Sequence, residues 1–357
     1  MYHETATYQA ILNQLRRYPE MQIDDLLKFL HQSTFGCGHL INSPAAASAY
    51  LQQEMQTCPP LIYVPIEELD GDYSRVHVDY LRNLGISPDT FANLFALSAA
   101  LSCGTCEELE ARLAIALQMA QAGELPFPVG ALSEAISAWR SAGYPAQHHS
   151  EKFRAEYAPA YRVLSNQHVA WLPLIAQIDR LMAEKEHIVL AIEGGSASGK
   201  TTLAALLERV YDCNVFHMDD FFLRPEQRTP ERFAQAGGNI DHERFREEVL
   251  LPLSQRQAVR YRRFDCGTFT IAPAVTVEPK KLNIIEGAYS MHPELADLYD
   301  FSIYLWVDSD LQHERIKKRN TPEMAQRFFN TWIPMEQKYF EATDAAVRCD
   351  MIWEVWE

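Results

Sequence analysis

The chain has little positive charge and no long apolar run. Of its 357 residues, 32 are Lys or Arg and 48 are Asp or Glu, so its formal net charge is -16 at pH 7. This balance argues against a nucleic-acid or anionic-membrane binding face, because both require a basic field. No apolar stretch approaches the roughly 18 residues that a membrane-spanning helix needs. Any phosphate-binding site must therefore be a local basic pocket in an acidic protein.

Targeting and disulfide patterns are missing as well. The start, Met1-Tyr2-His3-Glu4-Thr5, does not show the basic-then-apolar order of a signal peptide. Seven cysteines, an odd and scattered set, do not suggest a disulfide framework. These absences predict a cytoplasmic protein with reduced thiols. With 47% hydrophobic residues, the chain is long enough for two globular domains.

One stretch carries the pattern of a phosphate-binding loop. An apolar run before it predicts a buried strand, and a periodic run after it predicts a helix. Between them stands Gly-x-x-x-x-Gly-Lys-Thr. Its glycines let backbone N–H groups turn toward an anion, and the helix start adds its positive dipole end. The pattern predicts a nucleotide site formed by Gly194, Gly195, Ser196, Ala197, Ser198, Gly199, Lys200, Thr201 and Thr202.

The chain changes character near Lys185. Residues 1–184 show mostly helical periodicity, with a start signal at Ser87 and a capping box at Thr105-x-x-Glu108. From Lys185 onward, strands alternate with helices, which is typical of a doubly wound parallel α/β sheet. We expect a mostly helical domain of unassigned role over residues 1–184 and an α/β domain that carries the phosphate-binding loop (P-loop) over residues 185–357.

Charged residues follow the later predicted strands, and in such sheets ligands bind at the carboxyl ends of strands. Asp219 and Asp220 follow the second strand, where a carboxylate could take a proton from an acceptor hydroxyl or simply cap the next segment. Glu286 ends the third strand and is suited to hold Mg²⁺, or it could be a carboxylate at a strand end that has no metal role. The run from Arg315 to Arg319 could close over a nucleotide or form a solvated basic face.

Taken in order and spacing, these motifs resemble the uridine kinase family of P-loop kinases. Its relatives include nicotinamide riboside kinase, pantothenate kinase and phosphoribulokinase. The motifs are Gly194–Thr202, Asp219–Phe222, Ile285–Gly287 and Arg315–Arg319, and the resemblance covers about the last half of the chain. It implies ATP- and Mg²⁺-dependent transfer of the γ-phosphoryl group to a hydroxyl of a small molecule. The expected acceptor is a nucleoside or a nucleoside-like metabolite.

The resemblance also assigns roles to individual residues. Asp219 is similar to the family's catalytic base, and Glu286 matches its second acidic residue. Lys200 and Thr201 match the nucleotide and metal residues, whereas Arg315 and Arg319 look like the lid arginines. Three residues fall near the acceptor in the family, with Asp241 near the ribose and Arg263 and Phe264 near the base. The stretches 224–238 and 266–269 depart from the family's pattern, which leaves the acceptor's identity open.

Other interpretations stay beside the kinase. The chain could be an ATP-binding regulatory switch whose first domain binds a partner, and a homo-oligomer is compatible with the sequence. Three thiols and an imidazole, from Cys37, His39, Cys103 and Cys106, could form a zinc site, although ordinary buried cysteines of the core are the simpler expectation. A second cluster of cations could bind a phosphorylated ligand or be scattered on the surface; it comprises Arg75, His77, His149, Lys152, Arg154 and Arg162.

Overall fold

The computed structural model describes residues 2–37, 44–60, 64–101 and 103–356. It divides into two compact units, Met1–Arg180 and Leu181–Glu357. The division lies inside the helix Leu172–Glu184, and the two functional domains expected over residues 1–184 and 185–357 stay a prediction. In the part of the chain that the structure describes, no helix is long and apolar enough to cross a membrane.

The first unit is built mainly of helices, and local signals in the sequence explain where several of them begin. The Ser87 hydroxyl accepts the N–H of Thr90, and Thr105 and Glu108 form both bonds of the predicted capping box. The α-helices are Ala6–Arg17, Ile23–Phe35, Pro44–Thr57, Val78–Leu84, Pro88–Ala100, Cys106–Gln121, Val129–Ser141, Glu151–Tyr157, Asn166–Val169 and Leu172–Glu184.

A small antiparallel sheet also belongs to the first unit. Its strands are β1 (Ile66–Glu68), β2 (Tyr73–His77) and β3 (Tyr161–Ser165), in the order β1-β2-β3. This sheet was not predicted, because its strands are short and the third comes from a distant part of the chain.

The second unit contains a five-stranded sheet whose neighbours are all parallel, in the order β12-β11-β4-β10-β5. This arrangement confirms the predicted α/β fold with a parallel sheet. Two short antiparallel pairs, β6 with β9 and β7 with β8, lie in the segment before β10. The strands are β4 (Ile188–Gly194), β5 (Cys213–His217), β6 (Val259–Tyr261), β7 (Phe264–Asp265), β8 (Thr270–Ile271), β9 (Val275–Val277), β10 (Leu282–Glu286), β11 (Phe301–Val307) and β12 (Met351–Val355).

Helices connect these strands, and two of them continue through a π-helical turn. The α-helices of the second unit are Lys200–Val210, Pro230–Ala234, His242–Phe245, Leu251–Ser254, Ser309–Arg319, Pro322–Arg327, Ile333–Thr343 and Ala345–Arg348. The π-helical turns are Arg246–Leu250 and Phe328–Trp332. Short 3-10 helices occur at Met218–Phe221, Pro225–Gln227 and Ala296–Leu298.

The core of the second unit joins the sheet to the segment that follows β5. Val189, Phe216 and Ile285 lie on three neighbouring strands and share one buried apolar cluster with Phe221 and Phe245. Burying aromatic rings against the sheet stabilises the segment in place, at about 25 cal/mol for each Å² of apolar surface removed from water. This packing fixes the turn after β5 beside the carboxyl edge of the sheet.

Candidate active site

The predicted phosphate-binding loop connects β4 to the helix Lys200–Val210. Gly194 has φ +149 and Gly199 has φ +95, both in the region that favours glycine. A Cβ on Gly194 would lie 2.6 Å from the Leu305 carbonyl oxygen and 2.8 Å from the Ser198 Oγ atom. The close approach of β11 to the loop therefore requires a residue without a side chain at position 194.

Polar groups inside the loop are suited to an anion. The buried Lys200 side chain donates from Nζ to the Gly195 carbonyl oxygen at 2.9 Å. The Ser198 Oγ atom is buried and, among the described residues, has no hydrogen-bond partner. An orphaned hydroxyl beside a lysine and a helix N-terminus fits a loop that binds phosphate. The residues present therefore fit the triphosphate of ATP.

Two predicted metal residues meet next to this loop. The Thr201 hydroxyl oxygen lies 3.3 Å from each carboxylate oxygen of Glu286. His217 Nδ1 lies 2.5 Å from Glu286 Oε1, and this hydrogen bond raises the pKa of His217. In register, Glu286 stands beside Ile192 of β4 and beside His217 of β5. A hydroxyl and a carboxylate at this place fit Mg²⁺ bound with several waters and phosphate oxygens.

The two aspartates after β5 have different surroundings. Asp219 is exposed, and Asp220 forms an ion pair with Arg263, whose Nε lies 3.2 Å from its Oδ2. Desolvation by the surrounding protein raises the pKa of Asp219, with Glu286 acting in the same direction and Lys200 lowering it. Of the two, Asp219 is the more exposed carboxylate.

The three residues predicted to contact the phosphate acceptor differ in their burial and in their partners. Asp241 is buried, caps the helix His242–Phe245 and lies 3.2 Å from the Nε of Arg244. Phe264 is also buried and packs edge-to-face on Phe269. Arg263 is more than half exposed and holds Asp220. The predicted contacts of Asp241, Arg263 and Phe264 with an acceptor stay predictions, and the Asp241 carboxylate is already engaged by Arg244.

The two candidate lid arginines both lie on the helix Ser309–Arg319. Arg315 donates to the Ala197 carbonyl oxygen at 3.3 Å and to the Trp356 carbonyl oxygen at 3.0 Å. The Arg319 guanidinium stacks on the Phe328 ring, 5.5 Å from its centroid. Arg315 thus contacts the phosphate-binding loop itself, whereas the role predicted for Arg319 stays a prediction.

Sequence reasoning missed two further contacts to the loop. Glu336 is buried and accepts hydrogen bonds from the Ser196 backbone N–H at 2.8 Å and from the Ser196 hydroxyl at 2.6 Å. Gln312 donates to the Ser196 carbonyl oxygen at 2.7 Å. Burial raises the pKa of Glu336, and Lys200 lowers it. Two helices that follow β11 therefore hold the loop, and no local pattern marks Glu336 or Gln312.

A second missed residue is the buried carboxylate at the end of β4. Glu193 accepts the backbone N–H groups of Gly194, Tyr289 and Met291 and the hydroxyl of Tyr339, at distances from 2.8 to 3.1 Å. Burial raises the pKa of Glu193 to about 7, although the hydrogen bonds from the Met291 and Gly194 backbone N–H groups lower it. A charged residue within an otherwise apolar strand was the available signal.

We expect Glu193→Gln to destabilise the second unit by about 2 kcal/mol, because the new NH₂ group would face hydrogen-bond donors. Urea unfolding followed by circular dichroism measures this change. Glu186→Gln, at an exposed residue just before β4, is the matched control and should stay within about 0.5 kcal/mol. Equal midpoints for Glu193→Gln and the unaltered protein would contradict the role given to this carboxylate.

The candidate zinc ligands are not shown together. Cys37 is buried, Cys103 and Cys106 are exposed, and His39 lies outside the described residues. Among the residues that the structure describes, no three His, Cys, Asp or Glu side chains could hold a metal ion as a group.

Most of the second candidate cluster, the cations of the first unit, is neutralised by carboxylates. Arg75 is buried and lies 3.4 Å from Glu67 Oε2. Five of the six cations have such a partner in the described chain: Arg75 and His77 contact Glu67, His149 contacts Asp25, Lys152 contacts Glu20, and Arg162 contacts Glu54. These pairs favour a structural role over an anion pocket.

Comparison with known proteins shows which family the site resembles. Residues 189–327 match the model of the Phosphoribulokinase / Uridine kinase family. The chain is 31% identical over 150 residues to Uridine kinase-like protein 4 of Arabidopsis thaliana, covering 39% of this chain and 31% of that protein. It is 27% identical over 176 residues to the uridine kinase of Chlamydia pneumoniae, covering 44% of this chain and 77% of that protein.

A solved structure of a possible uridine kinase from Bacillus stearothermophilus is 26% identical, with a TM-score of 0.38. It covers 50% of this chain and 98% of that chain. This chain spans about a third of the length of the Arabidopsis relative and about three quarters of the Chlamydia one. The matched segment, which contains the phosphate-binding loop, is thus similar to the Phosphoribulokinase / Uridine kinase family over residues 189–327.

Proposed function

We propose that this segment is an ATP-dependent kinase that transfers a phosphoryl group to a hydroxyl of a small molecule. The observation that carries the proposal is the grouping at the carboxyl edge of the sheet. Lys200 in its loop, the contact of Thr201 with Glu286, and the exposed Asp219 after the next strand all lie there. A phosphate-binding loop, a metal pair and a carboxylate base are the parts that phosphoryl transfer requires.

Each residue has a role in this proposal. Lys200 and the loop N–H groups neutralise and orient the phosphates, and Thr201 with Glu286 would hold Mg²⁺. Bound ATP supplies the γ-phosphoryl group, which leaves ADP and bonds to the acceptor oxygen. Asp219 orients the acceptor hydroxyl and takes its proton. Arg315, already on the loop, and Arg319 stabilise the charge of the transferring group.

The acceptor proposed here is a nucleoside or nucleoside-like metabolite, which the names of the relatives support. The alternative, a regulatory switch that binds ATP, needs a group that positions water rather than an acceptor. The exposed carboxylate of Asp219, next to a long segment of polar and aromatic residues, suits an acceptor better.

Incubation of the full chain with Mg-ATP and a panel of nucleosides, vitamins and sugars tests the proposal. A mass gain of one phosphoryl group on one acceptor, formed about 10² or more times more slowly by Asp219→Asn, is the expected result. ATP binding without transfer to any acceptor would favour the switch.

Glu286→Gln is expected to raise the Mg²⁺ concentration needed for half-maximal turnover by about tenfold or more, because an amide is a poorer ligand than a carboxylate. A magnesium titration of the reaction measures this shift. Glu278→Gln, at an exposed residue before β10, provides the control and should leave the titration unchanged. Superimposable magnesium curves for Glu286→Gln and the unaltered chain would exclude Glu286 from the metal site.

A further inference from the structure

One arginine of the segment between β5 and β6 is oriented by its neighbours but has no carboxylate partner in the part of the chain that the structure describes. Arg228 is half-buried and donates from Nε to the Leu223 carbonyl oxygen at 2.9 Å. Its guanidinium lies over two aromatic rings, 4.8 Å from the centroid of Phe269 and 5.6 Å from that of Phe264. A guanidinium has five N–H donors, and the structure uses one of them here. Its Nη atoms have no hydrogen-bond or ion-pair partner within the described residues.

The neighbouring arginines are different. Arg224 and Arg244 both contact Asp241, at 3.7 and 3.2 Å, and Arg263 contacts Asp220 at 3.2 Å. The chain has 48 acidic residues for 32 basic ones, so a carboxylate partner is readily available to an arginine. A guanidinium oriented by aromatic faces, with no acceptor for its Nη atoms among the described residues, has donors left to bind an anion.

The position of Arg228 places it on the acceptor side. Its backbone anchor, Leu223, follows the turn that carries Asp219 and Asp220, and the strand β7 with Phe264 packs against that turn. Burial raises the pKa of the Cys266 thiol at the tip of the β7–β8 hairpin, with Arg228 lowering it and Asp219 and Asp220 raising it further. The anchor of Arg228 and the packing of β7 place Arg228 beside the turn that carries the proposed base.

We propose that Arg228 binds an oxyanion, a phosphate monoester or a carboxylate, on the acceptor whose hydroxyl is phosphorylated. The proposal rests on the proposed kinase function and departs from it on one point, because the acceptor is anionic whereas a nucleoside is neutral. Planar guanidinium groups bind carboxylates and phosphates through two parallel N–H···O bonds, and the free Nη atoms allow this geometry. Stacking on Phe264 and Phe269 orients the guanidinium in advance, so that little freedom is lost on binding.

Matched pairs of acceptors test the substrate class. Each pair offers the same hydroxyl compound in a neutral and an anionic form, such as ribose with ribose 5-phosphate, uridine with uridine 5′-monophosphate, and glycerol with glycerate. Phosphorylated product is measured by mass with the full chain and Mg-ATP. We expect the anionic member of at least one pair to have a kcat/KM at least tenfold higher. A preference for phosphates or for carboxylates identifies the source of the oxyanion.

Variants connect the preference to the residue. Arg228→Gln should raise the KM for the preferred anionic acceptor at least tenfold and abolish the preference within the pair, whereas the KM for ATP should change less than threefold. Arg228→Lys should restore part of the preference. The control Arg246→Gln removes an arginine that pairs with Asp297, away from this region, and should leave both values unchanged.

The outcomes separate this inference from the proposed function. Faster transfer to the neutral members, or a preference that survives in Arg228→Gln, overturns the inference while the kinase function stands. Absence of transfer to every acceptor overturns both.

Discussion

Replacing Lys200 with alanine is expected to lower turnover with Mg-ATP by about 10³, the scale seen when a preorganised charge-stabilising donor is removed from an active site. Lys200 is a buried cation in the loop, and its charge lowers the pKa values of Glu193, Asp219 and Glu336. Without it, the phosphates would meet these carboxylates with no compensating charge. ATP affinity should fall as well, as measured by calorimetry beside a steady-state assay of turnover.

Two controls make this result interpretable. Lys185→Ala removes a half-exposed lysine that pairs with Asp300, and it should leave turnover unchanged. Circular dichroism of Lys200→Ala shows whether the fold survives the loss of a buried cation. Near-normal turnover in a folded Lys200→Ala protein would mean that this loop does not bind the transferred phosphate.

Asp219→Asn is expected to reduce phosphoryl transfer by about 10² or more, the usual effect of losing a general base. Asparagine keeps the shape of the side chain but cannot accept the proton. ATP affinity should change little, because Lys200, Thr201 and the loop backbone bind the phosphates. Because the pKa of Asp219 is raised, the unaltered protein should lose activity as the pH falls through it, and the variant should lack this acid limb. Rate measurements over pH check both statements.

Asp220→Asn is the matched comparison. Asp220 is bound by Arg263, so its loss should disturb the site less than the loss of the exposed Asp219. Full transfer in Asp219→Asn together with loss in Asp220→Asn would exchange the two roles. If both variants retained full transfer, the mechanism proposed here would be wrong.

The parallel sheet could be predicted because its strands are continuous apolar runs, which is the pattern of strands buried on both faces. The observed strands Leu282–Glu286 and Phe301–Val307 are buried along most of their length, whereas the edge strand Met351–Val355 alternates between half-buried and exposed residues. The sheet of the first unit could not be predicted in the same way. Glu67 and Arg75 are charged residues that the structure buries against each other, so the apolar pattern of β1 and β2 is broken.

In the candidate site, too, some residues could be predicted from a local sequence pattern and others could not. Lys200 and Thr201 belong to one contiguous motif, and the rule that ligands bind at strand ends brought Glu286 to the same place. Glu336 and Gln312 come from helices far along the chain, and their bonds to Ser196 exist only in three dimensions. Nor does the sequence show which arginines are neutralised, because the ion pair of Arg263 and the unpaired Nη atoms of Arg228 depend on packing.

The order of strands in the sheet has a consequence for folding and for insertions. Strand β4, which leads into the phosphate-binding loop, pairs with β10 and β11. It can therefore take its place in the sheet only after these strands, which lie much later in the chain, have been synthesised. The segment between β5 and β10, which carries the proposed acceptor contacts, is a long connection. Its two ends are brought together when the sheet forms. Doubling the length of a flexible loop adds only about 0.6 kcal/mol to its closure cost. Extra residues in an exposed turn of this segment would therefore cost little, whereas its buried rings, such as Phe221 and Phe245, have to stay for the sheet to keep its core.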